Sequence, residues 1–287
     1  MRRGPIVMVA ATVVAVLVAG CSAGTTPAGS PGHPTTPTPQ STPAPSGLDD
    51  PVKKEIAMEL VSSAENSSLD WKAQFAYIED IHDGRGYTAG IIGFCSGTSD
   101  MLQLVTAYTK TEPGNPLAKF LPALTAVNGS DSHKGLGTPF IAAWKAAAKD
   151  PVFQQAQDKE RDDVYFDPAV SQAKEDGIGT LGQFAYYDAM VMHGPGSDAD
   201  SFGGIRAAAM RVAKTPAQGG DETVYLNAFL DARETAMRRE EAHPDTTRVS
   251  TEQRVFLKAG NLSLDPPLVW HTYGDRYEIA SPPTVLG

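Results

Sequence analysis

Cysteine, histidine and tryptophan are scarce in this chain of 287 residues, which has two cysteines, six histidines and three tryptophans. Two cysteines cannot form a structural zinc cluster, and no two histidines have the His-Glu-x-x-His spacing of a catalytic zinc helix. Gly84-Arg85-Gly86 lacks the third spaced glycine and the following helix of a phosphate-binding loop. The sequence therefore predicts neither a metal site nor a phosphate loop.

Basic residues are outnumbered, with 24 Lys and Arg against 34 Asp and Glu and a net charge of -10. Arg2 and Arg3 are the only charged residues among the first 48, so the remainder is more acidic still. An acidic domain favours a cationic partner over nucleic acid or anionic lipid. Acidity also keeps many exported proteins soluble, so charge alone leaves the partner open.

The apolar run from Ile6 to Ala19 is too short for a comfortable membrane span. With Arg2-Arg3 before it and small residues after it, it predicts a secretory signal peptide over residues 1–20. Leu17 to Cys21 is typical of a lipoprotein cleavage box, in which Cys21 carries the lipid. Ordinary cleavage nearby would instead release the protein. The predicted location is therefore the outer face of the cell membrane or the medium.

Residues 21–48 consist almost entirely of Ser, Thr, Pro, Gly and Ala, which cannot bury enough apolar surface to fold. We interpret this segment as an extended tether and residues 49–287 as the folded domain. A lipid on Cys21 would leave Cys95 without an internal disulfide partner. The domain must then be stabilised by its core.

Two local patterns predict the first elements of the domain. Asp50-Pro51 is a helix start, and Val52, Ile56 and Leu60 recur at helical spacing, which puts Glu65 near the end of that helix. Residues 73–94 are rich in aromatic and β-branched side chains and are interrupted by Asp83-Gly84, a turn signal. We expect a small antiparallel sheet with Asp83 near its turn.

The pattern beyond Ser99 is helical almost throughout. It predicts segments near 99–110, 116–127, 139–149, 151–164, 168–192, 201–214, 221–241 and 250–259. The three tryptophans, Trp71, Trp144 and Trp270, are interpreted as core residues rather than sugar platforms. Gly93 to Gly97 has the form of a nucleophile elbow around Cys95, but the chain lacks the alternation of strands and helices that an elbow needs, so we expect a buried structural cysteine.

One stretch carries a specific resemblance. Ser62 to Asp100 contains Glu65-Asn66, then Ile81-His82-Asp83-Gly84-Arg85-Gly86-Tyr87-Thr88, then Gly97-Thr98-Ser99-Asp100. It resembles the active-site signature of the glycoside hydrolase family 46 chitosanases, and the similarity continues through most of residues 51–279. The resemblance implies a mainly helical, lysozyme-like α+β fold: two largely helical lobes with a small antiparallel sheet beside the substrate cleft.

The resemblance also implies an activity. This is endo-acting, inverting hydrolysis of β-1,4 links in partly or fully deacetylated chitosan, without a cofactor and by a monomer. Such hydrolysis needs a protonated carboxyl to protonate the leaving oxygen and an ionised one to activate water. The residues alone do not select a pair from 34 acidic side chains. The family motif assigns Glu65 as general acid, Asp83 as general base and Thr88 as the hydroxyl that positions water.

Further residues are implied by the same resemblance. A supporting charge network has Arg233 approaching Glu65, Asp188 pairing with Arg233, and Arg248 completing it. The substrate-binding candidates are Asp100, Tyr77, Arg85 and Glu240. Ordinary alternatives stay open: a helix cap for Asp100, a strand position for Thr88, core packing for Tyr77, and exposed helix surfaces for the network residues.

Two other functions fit parts of the sequence. A non-catalytic surface lipoprotein that binds cationic oligosaccharides would need the cleft but not the pair Glu65 and Asp83. A lysozyme-type muramidase would share the fold but not the chitosanase motif. His82 before Asp83, and Pro244 after His243, depart from the family pattern and bear on substrate preference rather than on the reaction.

Overall fold

The computed structural model describes residues 47–240 and 244–285. The signal peptide, Cys21 and nearly all of the predicted tether lie outside these residues. The α-helices run α1 Pro51–Glu65, α2 Asp100–Thr111, α3 Leu121–Val127, α4 Gly137–Ala147, α5 Pro151–Arg161, α6 Asp167–Glu175, α7 Thr180–His193, α8 Phe202–Val212, α9 Glu222–Met237 and α10 Arg254–Lys258. The strands are β1 Ile78–Asp80, β2 Tyr87–Ala89, β3 Phe94–Cys95, β4 Leu268–Thr272 and β5 Asp275–Ile279.

Helix α1 begins as predicted. The Asp50 side chain accepts hydrogen bonds from the backbone N–H groups of Val52 at 3.0 Å and Lys53 at 3.3 Å, so it caps the first turn. Leu48, at the end of the predicted tether, is buried, and its N–H donates to Gln183 Oε1 at 2.7 Å. The start of α1 is thus fixed from two sides, and its last residue is Glu65.

The small sheet also forms as predicted. Strands β1, β2 and β3 pair antiparallel in that order, with Thr88 opposite both Glu79 and Cys95. Asp83 lies in the connection between β1 and β2. Asp83 and Thr88 therefore lie on consecutive parts of one hairpin, the turn and the strand that follows it.

The predicted helix over 168–192 is wrong because it is two helices. Gly177 has a φ of 75° and ends α6, and α7 begins at Thr180. The N–H of Ile178 donates to Ala173 O at 2.9 Å, which closes the helix end. A left-handed glycine is a common helix terminator, and the apolar periodicity that continues past it hid the break.

Two further helical segments contain π-helical turns, at Asp162–Phe166 and Arg248–Gln253. The second begins the segment that we predicted as a helix over 250–259, so that helical segment starts two residues earlier than expected. π-turns are frequent at functional sites because they re-aim side chains. Here the turn begins with Arg248.

A second sheet was not predicted at all. Strands β4 and β5 form an antiparallel hairpin in which Thr272 pairs with Asp275, leaving Tyr273-Gly274 as a two-residue loop. Its inner face packs on the core through Leu268, Trp270 and Ile279. The hairpin corrects our expectation that the described chain has only the early sheet.

The core is continuous from α1 to the final hairpin. Trp71, Trp144 and Trp270 are all buried in it, which confirms their interpretation as core residues. Among the described residues, no helix is both long and apolar enough to cross a bilayer. The chain is mainly helical with a small antiparallel sheet, as predicted.

Candidate active site

A cleft of about 530 Å³ lies beside the first sheet. Its lining comes from the end of α1, the first sheet, the start of α2, the end of α7, the Arg248 turn and the tip of the β4–β5 hairpin. The predicted site residues that line it are Glu65, Tyr77, Arg85, Thr88, Asp100, Glu240 and Arg248. Helices, strands and turns that are far apart in the sequence therefore bring most of the predicted site residues together.

Glu65 is the last residue of α1, and its side chain is 23% exposed. Its Oε1 accepts a hydrogen bond from Arg248 Nη1. The other carboxylate oxygen, Oε2, lies near Gly93, which also lines the cleft. The carboxylate is therefore held along one edge and faces the cleft with the other. This arrangement suits a carboxyl that must meet a substrate atom.

Asp188 on α7 lies behind this pair and is fully buried. Its Oδ1 accepts from Arg248 Nε at 2.8 Å and from Arg248 Nη2 at 2.6 Å. Its Oδ2 is 2.6 Å from Arg233 Nη1 and accepts from Gln253 Nε2 at 2.7 Å. The network is therefore a chain from Arg233 through Asp188 and Arg248 to Glu65.

This order corrects one expectation, because Arg248 and not Arg233 contacts Glu65. Arg233 projects from α9 onto the far side of Asp188, while the π-turn inserts Arg248 between Asp188 and Glu65. The predicted pairing of Asp188 with Arg233 is present at 2.6 Å. The three residues are thus assembled as a network, with the two arginines in exchanged positions.

The charges of the network hold Asp188 ionised. Burial alone would raise the pKa of Asp188, but the guanidinium groups of Arg233 and Arg248 outweigh it and lower the pKa to about 2. Burial would lower the pKa of Arg248, but the charges of Asp188 and Glu65 raise it well above its ordinary value. The arginine that contacts Glu65 is therefore permanently charged and already paired.

Glu252 is a member of this region that the sequence analysis missed. It is fully buried in the π-turn, and its Oε2 accepts from Thr272 Oγ1 on β4 at 3.1 Å. Burial and then the charge of Asp188 raise the pKa of Glu252 well above its ordinary value. A fully buried glutamate next to an ionised aspartate is best accommodated as a neutral carboxylic acid. Nothing in its local sequence distinguishes it from a surface glutamate.

Asp83 lies at the turn after β1, and its side chain is 3% exposed. Its Oδ1 accepts from the N–H of Arg85 at 3.0 Å, and its Oδ2 accepts from Arg85 Nε at 2.7 Å. Arg85 Nη2 lies 2.6 Å from the same Oδ2. Arg85 lines the cleft, whereas Asp83 is nearly buried and is not among the residues that line it. Glu65 and Asp83 both act on the pKa values of Tyr77 and Arg85, which places the two carboxylates in one electrostatic neighbourhood.

Thr88 lies in the middle of β2 and is buried at the wall of the cleft. Its Oγ1 is 3.5 Å from Cys95 Sγ across the β2–β3 pair, and that thiol also donates to Gly93 O at 3.2 Å. Burial raises the pKa of Cys95, which keeps it a thiol. Cys95 is a buried strand residue, as predicted.

Asp100 is the first residue of α2 and lines the cleft. Its Oδ1 accepts from Cys95 N at 3.1 Å, Thr98 Oγ1 at 2.7 Å and Met101 N at 3.0 Å. The cap position itself is Ser99, whose side chain makes no capping bond. Burial raises the pKa of Asp100 against these hydrogen bonds. Asp100 therefore ties β3 to α2 while facing the cleft.

Tyr77 and Glu240 complete the predicted set. The Tyr77 hydroxyl donates to Glu79 Oε2 at 3.4 Å, and burial and Glu79 raise its pKa. Tyr77 is half-buried and lines the cleft rather than filling the core. Glu240 follows the end of α9 and adds a carboxylate to the lining of the cleft.

His193 ends α7 and also lines the cleft. Its Nε2 accepts a long hydrogen bond from Arg233 Nε at 3.5 Å. Burial and then the charges of Arg233 and Arg248 lower its pKa to about 3. His193 is therefore uncharged at neutral pH and does not serve as a general acid.

Two aromatic residues of the cleft were missed, Tyr165 in the first π-turn and Tyr273 at the hairpin tip. Only the Tyr273-Gly274 pair carried a local turn signal. The described part of the chain contains no group of three His, Cys, Asp or Glu residues that could hold a metal ion.

Comparison with known proteins agrees with this geometry. The sequence profile of glycosyl hydrolase family 46 matches residues 59–268. A chitosanase of a Streptomyces species is 77% identical over 235 residues, which cover 82% of this chain and 84% of that protein. A chitosanase of Bacillus subtilis is 36% identical over 235 residues, covering 78% and 83%.

Solved structures give the same answer. The co-crystal structure of chitosanase OU01 with substrate matches with a TM-score of 0.80 and 62% identity, over 81% of this chain and 98% of that one. A Gynuella sunshinyii chitosanase in complex with chitotetraose matches with a TM-score of 0.74 and 35% identity, over 79% and 96%. These likenesses confirm the lysozyme-like α+β fold that the motif implied. The chain therefore belongs to glycosyl hydrolase family 46.

Proposed function

We propose that the protein is an endo-acting chitosanase, which hydrolyses β-1,4 links in partly or fully deacetylated chitosan. The observation that carries this proposal is the cleft itself. It brings the motif glutamate together with further carboxylates, on a fold shared with chitosanases solved with substrate. An acidic cleft in an acidic domain suits a polymer whose amines are protonated.

Glu65 is proposed as the general acid, which protonates the leaving oxygen. A neighbouring arginine opposes protonation of a carboxyl, unless that arginine is itself paired. Asp188 accepts two hydrogen bonds from Arg248, so part of the positive charge of the arginine at Glu65 is compensated by a second carboxylate. The network therefore positions Glu65 while limiting the electrostatic penalty for its proton.

Asp83 is proposed as the general base, with Thr88 positioning the attacking water. Arg85 supplies a counter-charge to the carboxylate proposed as the base. Asp83 is 3% exposed and Arg85 binds its Oδ2, so we propose that the attacking water shares this carboxylate with the guanidinium. Activation of water rather than direct attack corresponds to an inverting mechanism.

Asp100, Glu240 and Tyr77 are proposed to hold the sugars. Carboxylates in a partly desolvated cleft attract ammonium groups, and an aromatic ring can pack against a sugar or against its cation. Arg85 is proposed as the residue that links substrate binding to Asp83, because it lines the cleft and contacts that carboxylate. We propose a monomer that acts without a cofactor or nucleic-acid partner.

Export and anchoring are proposed from residues 1–48. The signal peptide would send the domain out of the cell, and a lipid on Cys21 would hold it by the tether of residues 21–48. Residues 49–287 would act as the catalytic domain. The test is fractionation of cells carrying the wild type or Cys21→Ala, with mass spectrometry of the mature N-terminus. A released variant with unchanged specific activity supports the anchor, and an unlipidated wild type contradicts it.

One assay separates this proposal from the two alternatives. The purified protein is incubated with chitosan, colloidal chitin and peptidoglycan, while viscosity and new reducing ends are followed. A rapid fall in chitosan viscosity is expected from endo-acting cleavage. Binding of chitosan oligosaccharides without cleavage would favour the surface lipoprotein, and cleavage of peptidoglycan alone would favour the muramidase.

A further inference from the structure

Tyr273 forms the tip of the β4–β5 hairpin, which was not predicted from the sequence. Its loop is two residues long, and Tyr273 and Gly274 have φ values of 52° and 92°. Two successive positive φ angles in a two-residue hairpin loop define a type I′ turn. The backbone at Tyr273 is therefore left-handed.

A tyrosine is a poor choice for this position. The first residue of a type I′ turn is preferably Asn, Asp or Gly, because a bulky side chain clashes in the left-handed region. Packing of the side chain into the core does not offset this strain, because Tyr273 is 46% exposed. A residue that neither favours its turn nor fills the core is a candidate for function.

The tip is nevertheless held firmly in place. The Tyr273 N–H donates to Thr247 Oγ1 at 3.0 Å, and Thr251 Oγ1 donates to His271 O at 2.6 Å. Thr247 is the residue before Arg248, so the hairpin tip is tied to the segment that contacts Glu65. The backbone that carries the Tyr273 side chain is therefore held in place beside the cleft.

The ring of Tyr273 lines the cleft near Glu65 and Arg248. Both charges act on the pKa of its hydroxyl, which burial raises, so the phenol stays protonated. A tyrosine offers an apolar face and a polar tip, and the face can also meet an ammonium group. These are the contacts that an amino sugar requires.

We propose that Tyr273 is a substrate-contacting residue, whose ring packs against the sugar held beside Glu65. The strained turn is retained because it aims this ring into the cleft. The inference rests on the proposed function and names a binding residue at the same site. We therefore expect Tyr273→Asn to weaken substrate binding without lowering the melting temperature.

The test compares Tyr273→Asn, Tyr273→Phe and a control, His271→Asn. His271 is exposed on the same hairpin and is not among the residues that line the cleft. Kinetics with glucosamine hexamer are measured in each variant. Binding of the same hexamer is measured by calorimetry with each change added to Glu65→Gln, which prevents turnover.

Tyr273→Asn is expected to keep or raise the melting temperature, because asparagine fits the turn. It should weaken hexamer binding roughly three- to tenfold, the range of an aromatic contact. KM should rise by a similar factor, with the pH profile unchanged. Tyr273→Phe and His271→Asn should bind within twofold of the parent.

Hexamer affinity of Tyr273→Asn within twofold of the parent would overturn the inference. A lower melting temperature for Tyr273→Asn would contradict the turn argument on which it stands. If Tyr273→Phe lost as much affinity as Tyr273→Asn, the ring would not be the contact. Failure of the wild type to cleave or bind the hexamer would instead count against the proposed function.

Discussion

Two carboxylates of this protein, Glu65 and Asp188, are linked through one arginine yet have opposite surroundings. Glu65 is partly exposed at a helix end and is held along one edge. Asp188 is fully buried and accepts from two arginines and an amide. The first is proposed to give a proton to the substrate, whereas the second is held in its ionised form. Environment, and not residue type, separates the proposed chemistry from its support.

The strongest way to test this contrast is Glu65→Gln. The amide keeps the shape of the side chain but cannot donate the proton, so we expect turnover to fall roughly a hundred- to ten-thousandfold. The melting temperature and hexamer binding should change little. Steady-state kinetics and calorimetry measure these quantities. Residual turnover above about a tenth of the wild type would remove Glu65 from the role of acid.

Asp188→Asn should differ from Glu65→Gln, because its main effect is a loss of folding stability rather than of turnover. It leaves Arg233 and Arg248 buried without their shared counter-charge, which costs roughly 3 to 5 kcal/mol. Turnover should also fall, because Arg248 then loses the group that positions it. Urea unfolding at neutral pH measures the difference in free energy.

The difference in unfolding free energy between the wild type and Asp188→Asn should depend on pH in a definite direction. Asp188 has a folded pKa lowered to about 2 from 3.8, so its stabilisation is present above 3.8 and is lost as pH falls towards 2. The gap between wild type and Asp188→Asn should therefore shrink below about pH 4. An equal gap at all pH values would contradict the ionised state of Asp188.

Asp100→Asn is the matched substitution on the cleft side. We expect KM for chitosan to rise several-fold and its salt dependence to flatten, because screening shortens the Debye length from about 10 Å at 0.1 M to about 3 Å at 1 M. Kinetics at the two salt concentrations measure this. Unchanged KM and salt dependence would leave Asp100 as only the link between β3 and α2.

Glu252→Gln should have the smallest effect on turnover. The folded pKa of Glu252 is raised, so its contribution to stability is full below about 4.5 and is lost as pH rises through the folded pKa. The glutamine variant does not titrate, so its free energy of unfolding relative to the wild type should increase as the pH rises from about 4 to about 7. Urea unfolding at both pH values tests this. A variant that is destabilised at pH 7 would show that Glu252 acts as an ionised partner.

The first half of the site could be predicted because its signals are local. A capped helix carries Glu65 to its end, and a turn signal between two β-rich segments places Asp83. Both depend on neighbours within a few residues. The motif then gave these positions their proposed roles.

The second half depends on contacts between distant segments, which no local pattern records. Arg233 and Arg248 lie on different elements, and only the packing of α7, α9 and the π-turn decides which arginine reaches Glu65. The hairpin of residues 268–279 was missed because its short alternating strands follow a long helical pattern. Glu252 and Tyr273 acquire their surroundings from that hairpin.

The central claim is that Glu65 acts as acid while Asp83 activates water, and the stereochemistry of the first product tests it most directly. Proton NMR is recorded immediately after the enzyme is mixed with chitosan oligosaccharide, before mutarotation mixes the anomers. The account predicts that the α-anomer of the new reducing end appears first from the β-linked chain. If the β-anomer appears first, or a glycosyl ester on Asp83 is trapped, the water-activating role of Asp83 is contradicted.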